Sequence, residues 1–71
     1  MDKIPAQYSL CKFMAPEGYQ YPIANEEHVV FFGEIPNMPG HCIVLQFKGN
    51  KNCLLVGYHT ENFIELSDGE V

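Results

Sequence analysis

Residues 41–58 read HCIVLQF-KGNKN-CLLVGY, two apolar segments on either side of a short polar loop. Glycine and asparagine tolerate the left-handed backbone of tight hairpins, so Lys48 to Asn52 is predicted to be a hairpin loop. The segment before it, residues 41–47, alternates in the way of a β-strand. Its large apolar side chains, Ile43, Leu45 and Phe47, all lie on one side. We therefore expect a β-hairpin with that side facing the core.

The rest of the chain is divided by proline and glycine into short segments, which favours strands over helices. Residues 8–14 fit a strand with Tyr8, Leu10, Lys12 and Met14 on one side, although a short helix over residues 6–14 is the alternative. Around the hairpin we predict a long loop over residues 15–27, a strand over 28–35, a turn over 36–40, a helical turn over 60–63 and a last strand over 64–66. Gly40 is expected to take a positive φ, and Thr60 to cap the helical turn.

The length of 71 residues allows one domain, with residues 1–6 and 67–71 expected to fray. Five short strands of this size leave fewer open edges when they curl. The predicted fold is therefore all-β, a small five-stranded, partly open barrel with one short 3-10 turn near its C-terminus. Its core is expected to be rich in aromatic residues, drawn from Phe13, Phe31, Phe32, Phe47 and Phe63.

Charge and cysteine content restrict the class of partner. Nine carboxylates stand against four lysines and no arginine, so a nucleic-acid backbone would be repelled. The apolar runs are too short to cross a membrane, and no secretion signal precedes them. We therefore expect a cytoplasmic protein without nucleic-acid or membrane partners. Cys11, Cys42 and Cys53 are expected to be reduced, mostly buried thiols.

Near the end of the chain, Gly57 precedes the string Thr60-Glu61-Asn62-Phe63-Ile64-Glu65-Leu66. This string and the order of the predicted elements resemble the Src-homology-3-like barrel superfamily. The peptide-binding members of that superfamily have a glycine-containing fourth strand, a helical turn reading roughly Pro-Ser-Asn-Tyr-Val and a short last strand. The Ala-Leu-Tyr-Asp-Tyr stretch and the paired tryptophan of the ligand groove are absent. The resemblance therefore implies the scaffold, together with aromatic residues near the groove of that superfamily at Tyr19, Tyr21 and Phe63.

Two surfaces are candidates for binding. Tyr19, Tyr21 and Tyr58 would form a shallow groove for a proline-rich peptide, and the carboxylates of Glu17, Glu26 and Glu27 would favour a basic residue in it. The structural interpretation is that these tyrosines close the end of the core and bind no ligand. The second surface is the turn over residues 36–41, where Met38 and His41 would contact a partner. The structural interpretation of this turn is a rigid connection that sets the register of the strands.

The alternative to a binding domain is a cysteine- and histidine-based enzyme or metal-binding accessory protein. Neighbours on a strand point to opposite faces, so Cys42 would have to act with His59 rather than with His41. Glu61 or Asn62 would orient the histidine. His28, His41 and His59 lack the paired spacing of structural zinc ligands, and no motif predicts a cofactor.

The residues together favour a non-enzymatic protein-interaction module. The predicted ligand-binding residues are Tyr19, Tyr21, Met38, His41, Tyr58 and Phe63. A second copy of the chain is an alternative partner, because a small apolar domain can cover its edge strands by forming a dimer.

Overall fold

Five β-strands and one 3-10 turn form the regular structure of residues 4–19 and 22–66, the parts of the chain described by a computed structural model. The elements are β1 (Leu10–Phe13), β2 (His28–Glu34), β3 (His41–Lys48), β4 (Lys51–His59), the 3-10 turn (Thr60–Asn62) and β5 (Phe63–Glu65). The all-β prediction is confirmed. The predicted C-terminal tail, residues 67–71, lies outside the described residues.

All neighbouring strands pair antiparallel in one open sheet with the order β4-β3-β2-β1-β5. Strands β4 and β5 are therefore its two edges. The sheet curls strongly. Its two edge strands come close together on the concave side, where the ring centroids of Tyr58 in β4 and Phe63 in β5 are 6.1 Å apart. The 3-10 turn connects these two edges across the end of the sheet.

The first strand is shorter than the predicted segment. Tyr8 has a φ of 68°, which interrupts an extended backbone, and β1 begins only at Leu10. Within β1 the alternation is as predicted, since Cys11 and Phe13 are buried while Leu10 and Lys12 lie on the other side. The helical alternative for residues 6–14 is therefore wrong.

The concave side of the sheet holds the core. Strands β1, β2 and β3 each place two fully buried side chains there, and β5 and the loop between β1 and β2 add one each. These eight residues are Cys11, Phe13, Ile23, Val29, Phe31, Cys42, Val44 and Phe63. Phe32 is only partly buried and Phe47 is exposed, so the core contains three of the five phenylalanines. Two of the three free cysteines are buried, whereas Cys53 is exposed.

The predicted core face of β3 is wrong. Cys42 and Val44 are fully buried, whereas Ile43 and Leu45 are partly exposed and Phe47 is exposed. Val44 lies opposite Phe31 of β2, and cross-strand partners share one face of a sheet. Because Phe31 points into the core, Val44 must do so too. The β2 strand therefore decides which side of β3 is inside.

Gly57 marks a β-bulge in the hairpin. Cys42 pairs with Tyr58 and Ile43 with Val56, which leaves Gly57 without a partner in β3. Its φ of 91° is accessible mainly to glycine, and the extra residue re-aims Tyr58 toward the core. The hairpin turn is shorter than predicted, because Lys48 and Lys51 are already paired and only two residues connect them.

No helix in residues 4–19 and 22–66 is long and apolar enough to cross a membrane.

Candidate functional site

The predicted binding residues separate into two regions of the structure. Tyr19, Tyr58 and Phe63 meet on the concave side of the sheet, where they form the aromatic cluster with Phe13. Met38 and His41 lie at the turn between β2 and β3. Tyr21, the remaining predicted residue, lies outside the described residues.

The aromatic cluster is built around the buried ring of Phe13. Its centroid lies 5.0 Å from Tyr19, 5.1 Å from Phe63 and 5.9 Å from Tyr58, and both tyrosines meet it edge-to-face. Such geometry is favourable for aromatic pairs. Both tyrosine rings are therefore packed against the core, and they do not stand free as the ridges of a groove for a proline-rich peptide.

The polar ends of this cluster bond to each other. The Tyr19 and Tyr58 hydroxyl oxygens are 2.6 Å apart, and the backbone N–H of Ile23 donates to Tyr19 Oη at 3.3 Å. Burial, followed by the hydrogen bond with Tyr19, raises the pKa of Tyr58 above its ordinary value. Tyr58 is therefore protonated at physiological pH, and the hydrogen-bonded pair closes one end of the core, as in the structural interpretation of these tyrosines.

The turn between β2 and β3 is held by its own backbone. Met38 N–H donates to Ile35 O, and His41 N–H donates to Met38 O, both at 3.0 Å. Gly40 has the predicted positive φ, 82°. The Met38 side chain is 43% exposed and adds nothing to the core. The turn is therefore a rigid projection with an apolar tip.

A cavity of about 270 Å³ lies between this turn and the 3-10 turn, and we call it the turn cleft. Its walls include Ile4, Glu34, Pro39, His41, His59 and Glu61. Two carboxylates, two imidazoles and two apolar side chains thus surround one space. Of the residues predicted to bind a ligand, only His41 is part of it.

Glu34 fixes the shape of the turn cleft. Its Oε2 accepts a hydrogen bond from Thr60 Oγ1 at 2.9 Å and another from Gly40 N–H at 3.2 Å. Thr60 N–H also donates to Gly40 O at 2.9 Å. The prediction that Thr60 caps the helical turn is therefore wrong, because its hydroxyl bonds Glu34 instead. One carboxylate holds the end of β2, the turn and the 3-10 turn together.

The two histidines of the cleft are cross-strand partners. His41 pairs with His59, and their ring centroids are 4.7 Å apart with a tilt of 42°. The Nδ1 atom of His41 lies 3.2 Å from Pro39 O, to which it donates when protonated. The two imidazole rings, inclined to each other, therefore stand side by side along the cleft near the two carboxylates.

The structure does not bring Cys42 to His59 in the way a catalytic pair requires. Cys42 points into the core opposite Tyr58, whereas His59 is exposed on the next rung. Burial, the main cause, raises the pKa of the Cys42 thiol to about 11, so it is protonated at neutral pH. Within residues 4–19 and 22–66, no three His, Cys, Asp or Glu side chains converge as metal ligands.

Sequence reasoning missed the carboxylates of the cleft. Glu34 and Glu61 stand 27 positions apart in the chain, and only the antiparallel pairing of the strands brings them to one end of the sheet. From the sequence, Glu61 is expected only as an orienting group for His59.

Comparisons of the chain with protein-family models, curated proteins and solved structures found no match.

Proposed function

We propose that this chain is a non-enzymatic protein-interaction domain that binds a basic peptide segment in the turn cleft. The observation that carries the proposal is that Glu34 and Glu61 line the same cavity, whose walls also include the apolar side chains of Ile4 and Pro39. A lysine or arginine side chain fits such a site, since its methylene stem packs on apolar surface while its charged end meets carboxylates.

The charge of the whole chain supports the same class of ligand. The net charge is −5, so a positively charged segment is attracted before it makes contact. His41 and His59 stand side by side, and an imidazole ring offers a face on which a guanidinium plane or a proline ring can lie. Met38, exposed on the adjoining turn, supplies an adaptable apolar contact for a neighbouring residue of the peptide.

The resemblance to the Src-homology-3-like superfamily supports a peptide as the ligand. A helical turn between the last two strands is a feature of that superfamily and of this chain. The proposal differs from the one that the sequence favoured, because Tyr19 and Tyr58 are assigned to the core. Among the contacts of residues 4–19 and 22–66, none favours the cysteine- and histidine-based enzyme as a second candidate.

Titration calorimetry with two synthetic peptides tests the proposal. One is a capped peptide with a single arginine flanked by prolines, and the other carries glutamate at the same position. We expect binding of the arginine peptide only, with an affinity that falls as salt is added. Equal affinity for the two peptides would refute the proposal. So would the absence of binding by either peptide at a concentration of about 1 mM.

A protein variant locates the binding. Glu61→Gln removes the charge of one cleft carboxylate while keeping the size of the side chain. We expect the arginine peptide to bind this variant roughly 2- to 5-fold more weakly. Glu17→Gln is the matched control, because Glu17 is exposed on the loop between β1 and β2 and does not line the cleft. An equal loss in the two variants would mean that only the net charge matters.

A further inference from the structure

Strand pairing brings two of the three histidines together at the ends of β3 and β4. His41 and His59 are cross-strand partners, and such partners carry their side chains on the same face of a sheet. Their ring centroids are 4.7 Å apart. His28, the third histidine, is instead paired with Lys12 of β1. The sheet therefore creates one pair of imidazoles that the spacing in the sequence does not reveal.

A hydrogen bond sets the orientation of the His41 ring. Its Nδ1 atom lies 3.2 Å from Pro39 O, and a carbonyl oxygen can only accept, so Nδ1 carries the proton of this contact. In a neutral imidazole this leaves the lone pair on Nε2. Histidines that bind a metal ion through one nitrogen usually donate the other N–H to a backbone carbonyl or a carboxylate. His41 is therefore oriented in the manner of a metal ligand.

The spacing and the charge around the histidine pair suit a divalent ion. Zinc lies about 2.0–2.1 Å from an imidazole nitrogen, so two such nitrogens on one ion are roughly 3 Å apart. Rings whose centroids are 4.7 Å apart can each bring one nitrogen to that separation. Glu34 and Glu61 line the same cavity, and none of the described residues that line it is a lysine. The cleft therefore combines nitrogen ligands with negative charge.

We propose that His41 and His59 together bind one divalent transition-metal ion, such as Zn²⁺, through one nitrogen of each ring. Within residues 4–19 and 22–66 no group of three His, Cys, Asp or Glu side chains could hold the ion, so water completes its coordination. Imidazole favours zinc, nickel and copper, whereas magnesium and calcium prefer oxygen ligands. The ion joins β3 to the edge strand β4 in the folded protein, so its binding stabilises the fold.

Calorimetric titration with Zn²⁺ tests the site, in Cys53→Ser protein because the exposed thiol of Cys53 is itself a zinc ligand. We expect one ion to bind per chain below about 1 mM, and Ca²⁺ not to bind in that range. His59→Gln should weaken Zn²⁺ binding at least as much as the roughly 10- to 100-fold that loss of an outer-shell contact costs. Because His59 is exposed, this variant should keep its fold, as shown by dispersed amide signals. His28→Gln, the matched control, should bind Zn²⁺ as before.

Urea unfolding gives a second measurement. Zn²⁺ should raise the urea midpoint of the Cys53→Ser protein and of its His28→Gln variant, but not that of its His59→Gln variant. These experiments contain no peptide, so their outcome is independent of the proposed function. Absence of Zn²⁺ binding up to about 1 mM overturns the proposal. Zn²⁺ binding that is unchanged in His59→Gln overturns it too, as does Ca²⁺ binding of equal affinity, which would assign the ion to the carboxylates.

Discussion

The two sides of β3 carry residues of similar hydrophobicity and have opposite roles. On the concave side, Cys42 and Val44 are sealed beneath the aromatic cluster. On the convex side, Ile43, Leu45 and Phe47 belong to a surface that remains in contact with water. Apolar character therefore does not by itself assign a residue of this chain to the core. Burial on the concave side stabilises the fold, whereas the apolar side chains of the convex side remain partly open to water.

Truncating an aromatic ring on each side should give the largest difference. Phe13→Ala removes the centre of the aromatic cluster, and we expect it to lower the free energy of unfolding by about 3–5 kcal/mol. Phe47→Ala removes a ring that is already exposed, and we expect a loss below about 1 kcal/mol. Urea unfolding followed by far-UV circular dichroism measures both values. Similar losses in the two variants would mean that the convex side contributes to stability as much as the core.

Alkaline pH should destabilise the concave side through the buried thiol of Cys42. The pKa of Cys42 is raised by burial from 9.0 to about 11, so the unfolded chain releases this proton at a lower pH than the folded chain. Stability is therefore intact below pH 9 and falls by roughly 2 kcal/mol as the pH rises to about 11. The raised pKa of Tyr58 acts in the same direction.

Urea unfolding at a series of pH values between 8 and 11 measures this effect. Cys42→Ala should be less stable at pH 8, because it leaves a small cavity, but its stability should fall less steeply with pH. An identical slope in the two proteins would show that Cys42 does not contribute to the alkaline loss.

Removing one hydroxyl of the tyrosine pair should have a smaller effect. Tyr58→Phe deletes the hydrogen bond to Tyr19, and we expect a loss of about 1 kcal/mol. Tyr8→Phe is the matched control, since Tyr8 is exposed, and its stability should not change. The arginine peptide should bind both variants as it binds the wild type. A loss of peptide affinity in Tyr58→Phe alone would return the tyrosine pair to the binding surface.

The type of the strands and their order along the chain could be predicted because glycine and proline divide the chain into short segments that are rich in β-branched and aromatic residues. The inside of β3 could not, because both of its sides are apolar and only the pairing of Val44 with Phe31 distinguishes them. The same applies to Thr60, whose hydroxyl can either cap its own helical turn or bond to a residue that is distant in the chain. Its partner Glu34 lies 26 residues away in the chain, and the curl of the sheet decides between those uses.

The candidate site was less predictable than the fold. Aromatic residues on a loop indicate a groove only if their rings are free, and the ring of Tyr19 is instead packed against Phe13. Single carboxylates such as Glu34 and Glu61 carry no motif. Their meaning arises from the cleft that the two turns create, and that cleft depends on contacts between distant segments.

Mapping of backbone amide shifts during titration with the arginine peptide tests the central claim most directly, namely that binding occurs in the turn cleft and not at the aromatic cluster. We expect the largest shifts at Gly40, His41, His59 and Glu61, with no comparable shifts at Tyr19 or Tyr58. Shifts centred on Tyr19 and Tyr58, or on the exposed Leu54 and Val56 of β4, would contradict the account.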